Sequence, residues 1–276
     1  MANIVLTNKC NLSCSYCFAK EITDTKAQYI NVENFQKAVN FIKTGRNERL
    51  GIVGGEPSIH PEFGTFLNMI AKDDEINDCI IFTNGTNLEN YIDLLLHPKF
   101  NFLINCNPPY IIGNLYNRLE KNIKLLHERK KEDFKLGINI YKTNLDYSYI
   151  FKLLETANKK ELRISISISN EIKENCENVL NYLEKFNPVL LNLYNDCIKK
   201  EIIPYFDCSG IPPCVMSTGL KKAILKAGEI RKKEAGNVNI FGHECGLQAD
   251  ILPDLSAVRS ICFPCYEKVS INNFNQ

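Results

Sequence analysis

The chain has 276 residues, enough to bury a sizeable core as one large domain or as two unequal ones. Its 33 Lys and Arg against 32 Asp and Glu leave a formal charge of +1, and no basic stripe is interleaved with aromatics, so nothing in the balance points to a nucleic-acid partner. No apolar run nears the ~20 residues that a bilayer requires, and "MANIVLTNK" lacks the basic start and apolar core of a secretory signal; no membrane partner is expected, and the expected location is the cytoplasm.

From Met1 to about Pro188, short apolar runs rich in β-formers alternate with amphipathic helical stretches, the pattern of an α/β chain built from βα units on a parallel sheet. Six strands are read at Asn3 to Thr7, Leu50 to Val53, Cys79 to Thr83, Asn101 to Asn105, Lys135 to Tyr141 and Leu162 to Ser169. Asn31 fits an N-cap, Gly45 a C′ residue, and Pro61 the first position of the next helix. Further helices are expected at Leu88 to Leu96, Leu115 to Lys131, Leu145 to Lys159 and Asn175 to Lys185. Right-handed crossovers through such units curl a sheet into a full or partial barrel. The expected architecture is a partial (β/α)6 TIM-like barrel over residues 1–188, followed by a small Cys-rich domain over 189–276 that relies on a metal centre as a staple.

Twelve cysteines in a reducing compartment read better as metal ligands than as a disulfide framework. Cys10, Cys14 and Cys17 follow C-x3-C-x2-C where the first strand ends, the rim on which parallel barrels gather functional residues. Asn11, Ser13 and Ser15 make the stretch polar, which disfavours three buried small hydrophobes. A structural zinc site closes with four ligands. Three thiolates suit a four-iron cluster with one iron left open, although a zinc or redox-thiol site stays in view. By contrast, Cys79, Cys106, Cys176 and Cys197 lie in apolar strands or helices and read as buried small side chains.

With "CNLSCSYCF" the chain resembles the radical S-adenosylmethionine (SAM) superfamily, whose motif is C-x3-C-x-aromatic-C, Tyr16 standing at the aromatic position. "GIVGGEP" at the end of the second strand resembles that family's GGEP element. The resemblance implies a SAM-binding [4Fe-4S] cluster on Cys10, Cys14 and Cys17, and backbone groups around Gly54, Gly55 and Glu56 that receive the SAM amino group. It further implies that the strand-end residues Asn84 in "FTNG", Asn105 in "INCN", Asn139 in "GINIY" and Ser165 in "ISISIS" face SAM, with the backbone of Tyr16 and Phe18 near the adenine. No catalytic acid or base is identified.

Near the C-terminus, Cys208 and Cys214 form C-x5-C, and Cys245, Cys262 and Cys265 form C-x16-C-x2-C. "CGLQADILPDLSAVRSIC" is similar to the opening of SPASM or twitch domains, with a hairpin around Pro-Asp. That similarity implies one auxiliary [4Fe-4S] cluster on Cys208, Cys214, Cys245 and Cys262, with Cys265 a substitute ligand or bystander. A zinc staple is the alternative, since thiolate spacing does not separate the two metals.

The resemblance implies an enzyme that reductively cleaves SAM to a 5′-deoxyadenosyl radical and abstracts a hydrogen from its substrate. An external electron donor of ferredoxin or flavodoxin type would supply the electron. Twitch- and SPASM-like relatives favour a ribosomally made peptide as substrate, in thioether or carbon-carbon crosslinking or epimerisation. The chain begins directly on its first strand, so leader capture would fall to the barrel mouth or to a separate peptide-recognition protein. The alternatives are a radical SAM enzyme acting on a small metabolite, a glycyl-radical activating enzyme, and a non-catalytic iron-sulfur or zinc protein.

Overall fold

The computed structural model describes residues 2–17, 26–45, 48–129, 131–167, 176–206, 211, 213–235 and 249–259. Strand β1 (Ala2–Val5) is followed by helix α1 (Val32–Thr44), β2 (Arg49–Val53), α2 (Phe63–Lys72), β3 (Asp78–Thr83) and α3 (Ile92–Leu95). Next come β4 (Phe100–Asn105), α4 (Pro109–Ile112), α5 (Leu115–Glu128), β5 (Phe134–Ile140), α6 (Tyr149–Ala157) and β6 (Glu161–Ile166). The chain continues through α7 (Cys176–Glu184), α8 (Asn187–Lys199), β7 (Ile203–Phe206), α9 (Thr218–Ala235), β8 (Ala249–Ile251) and β9 (Ala257–Arg259).

These strands form one open sheet in the order β7-β6-β5-β4-β3-β2-β1-β8-β9. From β1 to β7 every neighbour is parallel, each register shifting to the next through a helical crossover. All the strand C-termini therefore lie along one edge, where loops can carry chemistry. The core runs along one face of this sheet: Ile4, Leu50, Ile52, Ile81, Phe102, Leu136 and Ile164 share that face by register and are at most 2% exposed. At roughly 1.5–3 kcal/mol per fully buried side chain, this burial is the largest favourable contribution to the fold.

Helix α1 shows why the crossovers dock. Phe35, Ala38, Val39 and Ile42 recur at helical spacing and are all buried. Asn31 caps it as expected, its side chain accepting from the Asn34 backbone N–H at 2.7 Å. Gly45 stops the helix with φ −78°, so its place there does not depend on a left-handed conformation. Pro61 is not the first helical residue: α2 begins at Phe63, after a 3-10 turn at Pro57–Ile59. His60 joins the two, donating from Nε2 to the Ile30 carbonyl and accepting the Glu62 N–H at Nδ1, both at 3.0 Å.

The expected count of six strands is corrected. Strand β7 extends the parallel sheet beyond β6, pairing Leu162 with Pro204 and Ile164 with Phe206. Pro204 cannot donate to a ladder and is confined to edges, which is where β7 lies. Strands β8 and β9 form the hairpin expected around Pro253 and Asp254, but β8 also pairs in parallel with β1, Ala2 opposite Ala249. Among the described residues of the C-terminal third, Tyr205, Leu220, Ile224, Ala227 and Ile251 are buried. Cys79, Cys106 and Cys197 are buried, as read. No helix among the described residues is long and apolar enough to cross a membrane.

Burial holds His60 below its ordinary value of 6.5, so the folded state keeps it neutral. The unfolded chain binds that proton first on acidification, so stability falls as pH drops from 6.5 to the lower folded value. Unfolding midpoints measured across this window should decline in the wild type and decline less in His60→Gln. Asn31→Ala should cost about 1 kcal/mol in the same denaturation experiment.

Candidate functional site

The cysteine loop leaves the sheet immediately after β1 and is closed at its base by a short antiparallel return. Thr7 bridges Tyr29, Ile30 donates to the Leu6 carbonyl at 2.8 Å, and the Asn8 side chain holds Gln28 N and Lys26 O, each at 2.8 Å. Within the loop, Cys17 N–H donates to the Cys14 carbonyl at 3.1 Å, and Leu12 N–H points at the Cys10 sulfur at 3.4 Å. All three thiols are half-buried and free of disulfides. Among the described residues no group of three or more His, Cys, Asp or Glu closes on a single ion.

The Gly-Gly turn after β2 lies flat against this loop. Gly55 N–H donates to Thr7 O and Glu56 N–H to Lys9 O, both at 2.8 Å. A Cβ on Gly55 would sit 2.2 Å from Lys9 O, and one on Gly54 2.6 Å from Thr7 O. The glycines are therefore required first by the chain's own backbone, which passes where any side chain would be.

Glu56 follows with a fully buried carboxylate. Its oxygens accept from Ser58 N (3.1 Å), Ser58 Oγ (2.5 Å), Thr83 Oγ1 (2.7 Å) and Asn84 N (2.7 Å). Burial pushes its pKa up, and the donors from Asn84, Ser58 and Thr83 pull in the opposite direction. Two of the four partners, Ser58 N–H and Asn84 N–H, can only donate and so favour the ionised carboxylate. The clamp ties the end of β2 to the end of β3 and sets Asn84, whose amide donates to Asn11 Oδ1 at 2.8 Å and reaches the Cys10 sulfur at 3.9 Å.

The remaining strand-end residues form a polar row along the same edge. Asn139 donates to Asn105 Oδ1 at 2.9 Å, and Asn105 in turn donates to Asn107 Oδ1 at 3.3 Å. Ser165 is in register with Asn139, and its buried hydroxyl has no hydrogen-bond partner. Asn107 Oδ1 also accepts from the Tyr16 hydroxyl and from the Cys14 thiol, the latter at 3.6 Å. The Tyr16 ring stacks on Tyr141 with centroids 4.2 Å apart. Asn11, Asn107 and Tyr141 were not singled out in the sequence. Only the Asn-Pro-Pro run after β4, which restricts Asn107 to extended backbone, marks one of them there. Phe18, Cys208, Cys245, Cys262 and Cys265 lie outside the described residues, while Cys214 is exposed on a 3-10 turn at Pro213–Val215.

Burial pushes the Cys10 and Cys14 thiols up to about 11.

The family model described as the Radical SAM superfamily matches residues 4–143, just over half of the 276-residue chain. The chain belongs to the radical SAM superfamily. The family implies a [4Fe-4S] cluster and SAM. A GTP 3′,8-cyclase of Chlorobaculum tepidum is 30% identical over 93 residues, 34% of this chain and 28% of that enzyme. One of Campylobacter jejuni is 25% identical over 180 residues, 58% and 53% respectively. The match therefore spans between about a quarter and a half of these relatives' length. Among solved structures, Streptococcus suis SuiB in complex with precursor peptide SuiA superposes with a TM-score of 0.61 at 15% identity, covering 100% of this chain and 62% of that one. Native anSMEcpe with bound AdoMet gives 0.64 at 17%, covering 95% and 74%. At such identities the likeness is one of fold.

The residues fit what the radical SAM family implies. Cys10, Cys14 and Cys17 stand on one polar loop, the donor type such a cluster takes, and Ser165 Oγ is a buried hydroxyl without a partner on the edge where a polar ligand would lie. Gly55→Ala should cost about 1–3 kcal/mol in chemical denaturation, because the added methyl overlaps Lys9 O. Glu56→Gln, which points an N–H into a ring of donors, should cost about 1–3 kcal/mol in the same assay.

Proposed function

We propose that this chain reductively cleaves SAM and uses the resulting radical to take a hydrogen atom from a substrate. The observation that carries this reading is the approach of the cysteine loop to the Gly-Gly turn, through the bonds from Gly55 to Thr7 and from Glu56 to Lys9. When bound, a [4Fe-4S] cluster would supply one electron to SAM, whose S–C5′ bond would break to give methionine and a 5′-deoxyadenosyl radical.

Cys10, Cys14 and Cys17 would hold that cluster. With the Gly55 and Glu56 amide hydrogens already committed to Thr7 and Lys9, the carbonyls of Gly54 and Gly55 are what the turn offers to a cationic amine. Asn84, Asn105, Asn139 and Ser165 would offer hydrogen bonds to the polar groups of SAM, and the backbone of Tyr16 and Phe18 would lie near the adenine. The parallel sheet behind them excludes water from a reactive radical. An external ferredoxin- or flavodoxin-type donor delivers the electron.

For the substrate, two readings each have an observation. A ribosomally made peptide is favoured by the SuiB fold, which spans the whole chain and in that structure accompanies a precursor peptide. A small metabolite is favoured by the GTP 3′,8-cyclases, the relatives matched by sequence. In either case residues 189–276 are proposed to include an auxiliary metal site on Cys208, Cys214, Cys245 and Cys262, with Cys265 in reserve, iron-sulfur being preferred to zinc.

Protein reconstituted anaerobically with iron and sulfide should release 5′-deoxyadenosine from SAM in the presence of dithionite. Replacing Cys10, Cys14 and Cys17 together by Ala should reduce product to background and remove about four irons per chain, the content of one such cluster. A wild-type protein that takes up no iron at this loop would end the reading. Ser165→Ala should leave the unliganded protein as stable or slightly more so, since it deletes a buried unsatisfied hydroxyl. The same change should weaken SAM binding in equilibrium dialysis.

A further inference from the structure

We infer that Asn107 is a positioning residue for the [4Fe-4S] site: it anchors the Cys14–Tyr16 part of the cysteine loop to the end of β4 and keeps the cluster potential low. This inference rests on the radical SAM reading above and deepens it.

Asn107 is 1% exposed and lies between β4 and α4, where Pro108 and Pro109 hold its backbone extended. Its Nδ2 donates to the Asn105 carbonyl at 3.2 Å, a group that can only accept. That bond fixes which way the carboxamide faces. Oδ1 is thereby turned to the loop, where Tyr16 O–H, Cys14 Sγ (3.6 Å) and Asn105 Nδ2 (3.3 Å) all meet it. When Cys14 becomes a ligand its sulfur no longer has a hydrogen to give. Tyr16 and Asn105 still hold the amide, so the anchor survives loading.

A consequence for the potential follows from the same geometry. The negative end of a buried amide dipole faces a ligand sulfur, and local charge and hydrogen bonding are the means by which a protein moves a cluster potential. Negative charge there disfavours the extra electron and makes the reduced cluster a stronger reductant, which is what cleaving a sulfonium demands.

The test uses the full chain reconstituted with iron and sulfide, reading the electron paramagnetic resonance signal that changes when SAM is added. Iron loss to a ferrous chelator and the midpoint potential of that signal are measured for wild type, Asn107→Ala, Asn107→Asp and Tyr16→Phe. Loss of a supporting partner of this kind weakens metal binding about 10- to 100-fold, so Asn107→Ala should lose iron faster by a factor in that range. The potential should rise in Asn107→Ala and fall in Asn107→Asp. Tyr16→Phe keeps the ring and removes the donor while leaving the amide oxygen in place, so it should lose iron faster than wild type by a smaller factor than Ala without the rise in potential, and combining it with Asn107→Ala should add little to the iron loss.

Iron retention and potential equal to wild type in Asn107→Ala would overturn the inference. So would potentials in Ala and Asp that move together, the signature of a loosened fold without an electrostatic role. If Asn107→Ala fails to fold, Asn107→Asp and Tyr16→Phe decide by the same signs. A wild-type protein with no SAM-responsive signal sinks the function reading itself, which separates the two failures.

Discussion

Two main-chain hydrogen bonds, from Gly55 to Thr7 and from Glu56 to Lys9, are the constraint on which the site depends. They exist only because Gly54 and Gly55 present no Cβ to the backbone of residues 7–9. Through them the loop that follows β1 is pressed against the turn that follows β2. The cysteines and the glycine turn, more than thirty residues apart in the chain, become neighbours on one edge. The parallel pairing of β1 with β2 brings the two loops to the same end of the sheet; the absent side chains allow them to touch.

Buried charge completes the arrangement. Glu56 is a carboxylate removed from water and satisfied by four donors from β3, its following turn and Ser58. Removing a carboxylate from water is costly unless its lone pairs are met, so the clamp specifies one relation between the ends of β2 and β3. Asn84 inherits its position from that clamp and passes it to Cys10 and Asn11. On the far side of the loop Asn107 does the same for Cys14 and Tyr16. The cysteine loop is thus held from two adjacent strand ends, β3 and β4, as well as from β2.

The polar row of Asn105, Asn139 and Ser165 shows how a parallel sheet separates stability from chemistry. In β3 to β6 buried apolar residues carry the fold, while Thr83, Asn105, Asn139 and Ser165 put a polar side chain at the last or next-to-last position of each strand. A row so arranged has the reach to meet a ligand lying across several strands, such as an extended nucleoside-bearing cofactor. The SuiB and anSMEcpe structures share this fold, and one fold can host many chemistries.

Much of this was readable in the linear chain because it depends on local patterns. The C-x3-C-x2-C spacing, the GGEP run and the alternation of βα units are properties of neighbouring residues, and the family match over residues 4–143 covers the same stretch. The Asn31 cap and the burial of Cys79, Cys106 and Cys197 follow from equally local rules. Other features required the fold. Strand β7 was hidden by Pro204, which is tolerated only because tertiary structure puts that strand at an edge. The pairing of β8 with β1 brings together residues nearly 250 positions apart, for which no local signal exists. Asn107 and Asn11 look like ordinary loop residues until the strand ends converge. Composition and spacing determine which chemistry the chain can support; long-range packing decides which side chains hold it in place, since hydrogen bonds between distant residues form only after the sheet has been assembled.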